Sequence, residues 1–297
     1  MAVLQDAEAG ARASRAKVVF PEWDEPRIAA ARTRLVAQGL AEPVPVGPVD
    51  DAQRAALLRA RPGMKPGIAE RMLARPLIRA AAMVGAGQAA AMVAGADHPT
   101  AKVIEAALLG IGLAPGVALP SSFFLMVFPD GRELIFADCA VNTDPDDKAL
   151  AAIARASAAS AAALLGRARV ALLSYSTGRS GSGPSVDRVR AAAEAAGAAG
   201  LEVTGPVQAD AALNAAIAHK KGVAAAEPAN TLIFPDLDAG NIAYKLCQEL
   251  AGAQAVGPFL QGFARPVCDL SRGASVDDIV AATTVTLSLA QDGQEAG

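Results

Sequence analysis

Apolar residues along this chain follow two spacings in turn, and the switch between them marks out its elements. Residues 17–40, "KVVFPEWDEPRIAAARTRLVAQGL", begin with a β-branched run that stops at Pro21, pass through an acidic turn, and then place apolar residues at helical spacing as far as Gly39. The pattern predicts a strand followed by an amphipathic helix, the opening of a βα unit. It recurs at once. "PVPVG" reads as a short strand, "DAQRAALLRA" and "KPGIAERMLARPLIRAAAMVGAG" as helices, "AAMVAGA" as a buried strand and "PTAKVIEAALLGIG" as the next helix. Strands alternating with helices predict a parallel sheet.

Two apolar runs, "SSFFLMVFP" and "ELIFADCAVN", then face each other across the Asp-Gly turn of "DGR", which predicts a β-hairpin. From about residue 146 the alternation resumes. The helices are "DDKALAAIARASAASAAALLG", "SVDRVRAAAEAAG", "ADAALNAAIAHKK" and "AGNIAYKLCQELAG", and the strands are "RVALLSYS", "LEVTGP", "NTLIFP" and "AQAVGPFLQG". A last helix, "SVDDIVAATTVTLSLAQ", closes either half of the chain, and periodicity does not choose between them.

Length and composition sharpen this picture. A chain of 297 residues, 53% of them hydrophobic, is long enough for two domains with substantial cores. Aromatic residues are only 4%, so those cores are built from Ala, Val, Leu and Ile, which suits helices packed closely on sheets in an α/β protein. With 27 basic and 30 acidic residues and no long basic run, the chain is not expected to bind nucleic acid.

Cys139, Cys247 and Cys268 are odd in number, far apart and without a CxxC, which argues against both a disulfide framework and a zinc site and fits a reducing cytoplasm. The N-terminal stretch has acidic residues and no apolar core of the kind a signal peptide needs. The longest uncharged run, residues 106–128, is interrupted by Pro115, Pro120, three glycines and Ser121-Ser122, so it reads as buried helix, loop and strand rather than a membrane span.

Two stretches carry candidate chemistry. "LSYSTGRSGSGPSVDRV", residues 173–189, joins a strand to a helix that starts near Pro184. Its glycines let a ligand approach the backbone, Ser176, Thr177, Ser180 and Ser182 supply hydroxyls, and Arg179 supplies a charge, so it reads either as an anion site or as an empty βα connection. It matches neither a dinucleotide fingerprint nor a Walker loop. The second stretch is "DLSRGASVDD", residues 269–278. Locally it reads as a helix start, with Ser275 as N-cap and Asp278 at the third helical position.

Taken together, "VVFPEWDEPR", "FADCAVN", "SYSTGRSGSGP", "FPDLDAGNIAYKL" and "AVGPFLQGFARPVCDLSRGASVDDIV" occur in an order that resembles the phosphate acetyl/butyryltransferase family. The resemblance spans nearly the whole chain and is strongest from residue 173 onward. It implies two three-layer α/β domains of the isocitrate/isopropylmalate dehydrogenase-like fold, with the active site in the interdomain cleft. Residues 1–123 and 259–297 would form a discontinuous first domain and 124–258 the second. The implied reaction moves an acetyl group between acetyl-CoA and inorganic phosphate, with coenzyme A as substrate, no cofactor and no metal. The implied protein is a cytoplasmic homodimer with no membrane partner.

Carried over onto matching positions, Asp278 is the base toward the CoA thiol, and Ser271 and Arg272 stabilise charge. Ser122, Asn142, His98, Ser176, Thr177, Gly178, Arg179 and Ser180 are expected to contact substrate. Cys139 matches a position near the active site but also reads as a packed thiol, and Asn241 and Tyr244 as helix cap and packing residue. The role given to Asp278 carries a physical difficulty. A thiol near 8.5 and an aspartate near 3.9 differ by roughly 6 kcal/mol for full proton transfer, so the step requires desolvation of the acid, thiolate stabilisation by Arg272, or transfer concerted with attack.

The family pattern breaks after "GADHPT". Where an anion-binding arginine is usual, this chain has Glu105. Three accounts follow: Arg79, Lys102 or Arg179 takes over; the helix turns Glu105 elsewhere; or substrate or activity has changed. A butyryl or other short-acyl transferase, and a non-catalytic module sensing acetyl phosphate or CoA, therefore stand beside the acetyltransferase. A dehydrogenase of the related fold lacks its acidic metal cluster and nucleotide site here.

Overall fold

The structure, a computed structural model, describes residues 2–223 and 227–295. Met1, Gly297 and Ala296, at the outer ends of the first domain drawn from the sequence, lie outside the described residues, as do 224–226. The chain divides into two compact units, Ala2–Pro120 with Val256–Gly297, and Ser121–Ala255. They are called the first and second unit below.

The first unit begins with α1 (Ala2–Ser14), β1 (Lys17–Val19), α2 (Pro26–Ala37), β2 (Glu42–Val44), α3 (Asp51–Ala60), α4 (Pro66–Leu73), α5 (Pro76–Gly85), β3 (Ala91–Ala94) and α6 (Thr100–Gly110). Sequence chemistry sets several of these boundaries. The Glu25 carboxylate caps α2 through the Ile28 amide at 2.9 Å, with Pro26 in the first helical position. Asp50 and Gln53 form a capping box on α3, and Pro76 separates α4 from α5. Helices α5 and α6 pack where both lack a side chain, since a Cβ at Gly85 would overlap the Gly110 carbonyl oxygen and a Cβ at Gly110 would overlap the Ala82 amide.

The second unit runs β4 (Ser121–Val127), β5 (Glu133–Ala137), α7 (Asp147–Leu165), β6 (Val170–Leu173), α8 (Pro184–Ala198), β7 (Val203–Val207), α9 (Ala209–Leu213), α10 (Ala215–Lys220), β8 (Thr231–Ile233) and α11 (Leu237–Ala251). The expected hairpin is present: β4 and β5 are antiparallel, with Phe124 opposite Phe136. Strands β5, β8, β6 and β7 follow as parallel neighbours. The core between this sheet and its helices includes Phe124, Met126, Phe136, Leu232 and Phe234. By length and composition α7 is apolar enough to cross a membrane; here it packs on α8, β4, β5, β6 and β8.

The chain then returns through β9 (Gln254–Gln261), β10 (Val267–Asp269) and α12 (Val276–Glu295). Strand β10 lies parallel to β3 and antiparallel to β9, while β3 is also parallel to β1, and β1 to β2. Helix α12 packs against α1, α2 and β3, which places the last helix in the first unit.

Three features depart from the sequence reading. Helix α1 and the three-residue strand β10 were not expected. The single helix expected over "ADAALNAAIAHKK" is two, because Asn214 leaves helical geometry (φ −135°, ψ 110°) and its side chain accepts from the Ala216 and Ile217 amides. Asparagine competes with the helix for backbone partners and restarts it as a cap.

Candidate functional site

In the first unit, parallel strands β1, β3 and β10 deliver three loops at their carboxyl ends: residues 20–25, 95–99 and 270–275. Ligands of open α/β sheets bind at such ends. Glu22 of the first loop and Arg27, at the start of α2, hold the other two. The buried Glu22 carboxylate accepts from the amides of Ala96 (2.9 Å), Asp97 (2.8 Å) and His98 (2.8 Å), and pairs with His98 Nδ1 at 2.7 Å. Arg27 donates to the carbonyl oxygens of Arg272 (2.6 Å), Ala274 (3.0 Å) and Ala96 (3.0 Å), with Nε on Glu25 at 2.7 Å. One guanidinium thus fixes the His98 loop and the Ser271–Arg272 turn to the same helix start.

Ser271 and Arg272 are exposed, and Ser271 Oγ accepts from the Gly273 amide at 3.3 Å. The expected cap at Ser275 is formed. Its hydroxyl accepts from the Asp278 amide at 3.2 Å and donates to Asp278 Oδ2 at 2.8 Å, and that oxygen also takes the Ser275 amide at 3.0 Å. Asp278 is therefore the reciprocal partner in a capping box. Its neighbour Asp277 pairs with Arg34 of α2.

His98 is placed by the Glu22 contact, which accounts for one ring nitrogen. Glu105 faces cations: Arg75 at 3.1 Å and Lys102 at 2.8 Å. Hydrogen bonds from Arg75 and then Lys102 hold its carboxyl far down, at about 2. The negative charge that breaks the family pattern is thus neutralised locally, and Lys102 is engaged in doing so.

In the second unit the organising group is Asp138, buried at the end of β5. It accepts from the Ser122 hydroxyl, from the amides of Ala140 (3.0 Å), Val141 (3.2 Å) and Asn142 (3.0 Å), and from Asn142 Nδ2 at 2.6 Å. Two predicted substrate contacts, Ser122 and Asn142, therefore meet on one carboxylate. Ser122 is fully buried. Cys139 is packed: burial first, and then the Asp138 charge, push its thiol well above the ordinary range, which disfavours the thiolate. Helix α11 starts against this corner, with Asn241 Nδ2 on the Cys139 carbonyl at 3.2 Å, and a Cβ at Gly240 would overlap the Asp138 carbonyl oxygen.

The glycine-rich loop is shaped by its own hydroxyls. Ser176 Oγ accepts from the Gly181 amide at 2.8 Å, Ser180 Oγ from the Thr177 amide at 3.0 Å, and Thr177 Oγ1 from the Gln208 amide at 3.1 Å. The Gly178 amide bonds to Pro206. Ser176 and Thr177 are buried, whereas Gly178, Arg179 and Ser180 are exposed ahead of α8. Ser176 and Thr177 hold the loop's shape, and the exposed trio faces solvent.

Sequence reasoning missed Glu22, Arg27, Asp138 and Asp269. "PEWDEPR" and "FADCAVN" were visible as motifs, yet nothing local says that their acids and arginine organise distant loops.

Against known proteins, the family pattern described as phosphate acetyl/butaryl transferase matches residues 49–287. The phosphate acetyltransferase of Paracoccus denitrificans is 42% identical over 304 residues, which cover 93% of this chain and 95% of that enzyme. The phosphate acetyltransferase of Pseudomonas aeruginosa is 41% identical over 302 residues, covering 91% of this chain but only 43% of that longer protein. Among solved structures, a phosphotransacetylase from Streptococcus pyogenes superposes with a TM-score of 0.90 at 34% identity, covering 98% of each chain.

Proposed function

The chain belongs to the phosphate acetyl/butyryltransferase family, and from that membership we propose that it moves an acetyl group reversibly between acetyl-CoA and inorganic phosphate. Acetyl is preferred over butyryl in this reading because the matched full-length relative of Paracoccus denitrificans is a phosphate acetyltransferase. The observation that carries the site is the convergence of three strand-end loops on Glu22 and Arg27, which leaves Ser271 and Arg272 exposed on a turn held from behind.

In the direction that makes acetyl-CoA, the CoA sulfur forms a bond to the acyl carbon as the carbon–oxygen bond to phosphate breaks. The thiol proton goes to Asp278, and phosphate leaves with the bonding pair. Arg272 stabilises the thiolate and the negative charge developing on the phosphate, and Ser271 donates to the acyl oxygen. Arg179, Ser180 and Gly178 of the second unit hold phosphate, as exposed groups ahead of a helix N-terminus can. Ser122 and Asn142 act through Asp138 in shaping the corner that faces the acyl group, and His98 offers its second ring nitrogen. The scheme draws on residues of both units, with residues 1–123 and 259–297 taken as one domain of the isocitrate/isopropylmalate dehydrogenase-like fold. Coenzyme A is a substrate, and neither cofactor nor metal has a step in the scheme.

A homodimer and a cytoplasmic location complete the proposal. Ile242, Leu246 and Leu250 form an exposed apolar stripe along α11, four residues apart, which suits a helix of a second copy. The three free thiols suit a reducing compartment.

The test is CoA-dependent turnover of acetyl phosphate by wild type, Ser271→Ala and Arg272→Ala. Loss of one charge-stabilising donor is expected to lower kcat about 10²–10³-fold. Folded wild type without turnover on any short acyl-CoA would sink the reading.

A further inference from the structure

Strand β10 ends on Asp269, two residues before Ser271. Its residue is 1% exposed, and Oδ1 has no hydrogen-bond partner among the described residues. Thr100 of α6 hydrogen-bonds the carboxyl. Gly95, just beyond β3, lies so close that a Cβ there would stand 2.5 Å from Oδ1 and 2.7 Å from the Leu270 amide. The carboxyl is thus pressed against the turn that leads to His98.

The charged groups on the elements packed around it are occupied elsewhere. Glu22, the nearest like charge, takes three amides and His98. Arg27 is directed to three carbonyls, Arg34 to Asp277, Lys102 to Glu105, and Asp278 to Ser275. No ion pair reaches Asp269 among the described residues. A buried carboxylate without a cation, beside a second carboxylate, is disfavoured in its charged form. Burial first, and Glu22 in addition, push this carboxyl up from 3.8 to about 7.

We propose that Asp269 is a positioning residue for acyl transfer: neutral, it seats the strand end against Gly95 and holds the Ser271–Arg272 turn in place for the anionic substrate, and a buried charge there, without a cation, loosens that turn and weakens anion binding. The proposal rests on the reading of Arg272 as the group that meets the anion. It gives the enzyme an alkaline limit set within its own fold. The sign follows from the direction of the shift: a raised carboxyl is neutral below about 7 and charged above.

The test uses acetyl phosphate and CoA with the full chain between pH 6 and 9. The KM of wild type for acetyl phosphate, divided by that of Asp269→Asn, is expected to rise about tenfold from pH 6 to 8. CoA ionisation affects both proteins alike, so the ratio of the two KM values is the readout. A constant ratio across the range, as a purely structural role would give, overturns the proposal. Wild type alone provides a second measurement that needs no folded variant. A protonated-carboxyl stretch in its infrared difference spectrum should be present at pH 6 and lost by pH 8, and its absence at pH 6 also overturns the proposal. Arg272→Ala separates the two readings. If it leaves the KM for acetyl phosphate unchanged, the role of Arg272 fails and this proposal with it. If it raises that KM while the ratio for Asp269→Asn stays constant, only this proposal fails.

Discussion

Replacing Arg27 by lysine tests whether the Ser271–Arg272 turn is held from behind. The guanidinium reaches the carbonyls of Arg272 at 2.6 Å and of Ala274 and Ala96 at 3.0 Å, across 245, 247 and 69 residues of sequence. A lysine ammonium keeps the charge but, lacking the planar fork, can serve one of these loops and not both. With the ammonium on Ala96, the two bonds from a charged donor to the Ser271–Arg272 turn are lost. A charge-assisted bond contributes about 1.5–3 kcal/mol when dry. The Arg27 side chain is 31% exposed, so about 1 kcal/mol each is the appropriate scale, or about 2 kcal/mol in all.

If that energy places the turn, kcat/KM for acetyl phosphate falls by about 30-fold, since 1.36 kcal/mol is a factor of ten. If it only stabilises the fold, the urea midpoint falls and kcat/KM does not. The assay is therefore steady-state turnover beside equilibrium unfolding on the same preparation. A variant within twofold of wild type in kcat/KM would refute the claim that Arg27 positions Ser271 and Arg272.

Three further outcomes follow from the packing and the charges. Gly240→Ala should lose about 2–3 kcal/mol of stability in urea unfolding, because the new Cβ overlaps the Asp138 carbonyl and α11 must shift; an unchanged midpoint would show that the helix is loosely seated. Glu105→Gln should differ from wild type by at most about 1 kcal/mol near neutrality, as befits a half-exposed pair, and the two should converge in acid. The folded carboxyl is held near 2 against an ordinary 4.5, so its contribution is complete above about 4.5 and lost as pH falls toward 2. Unfolding midpoints that stay apart at pH 2 would contradict that. Leu246→Glu, in the middle of the α11 stripe, should convert the proposed dimer to monomer by sedimentation velocity; an unchanged sedimentation coefficient would exclude this face.

What could be read from the sequence was what is local. The βα alternation, the Asp-Gly hairpin and the Ser275 cap each arise from residues a few positions apart, and each is present. Asn214 is local too, yet it was hidden: alanines on both sides favour a continuous helix, and only its departure to φ −135° reveals the restart. Glu22 and Arg27 were visible as part of a motif but not as organisers, because their partners are 69 to 247 residues away. Glu105 alone suggested repulsion, and the relief comes from Arg75, thirty positions earlier on the preceding helix pair. Asp269 reads in sequence as the polar lead-in to "SRG", and only the parallel packing of β10 on β3 shows that it is buried.

The most direct test of the account concerns Asp278, which is seen as a cap and is proposed as the base. Asp278→Asn retains an acceptor for the Ser275 amide, so the capping box survives in part while the proton acceptor is gone. The measurement is kcat for acetyl transfer to CoA, taken beside the unfolding midpoint. The account predicts a loss of about 10²–10⁴ in kcat with a change in stability of about 1 kcal/mol or less. Full activity with lowered stability would show that Asp278 does no more than start α12.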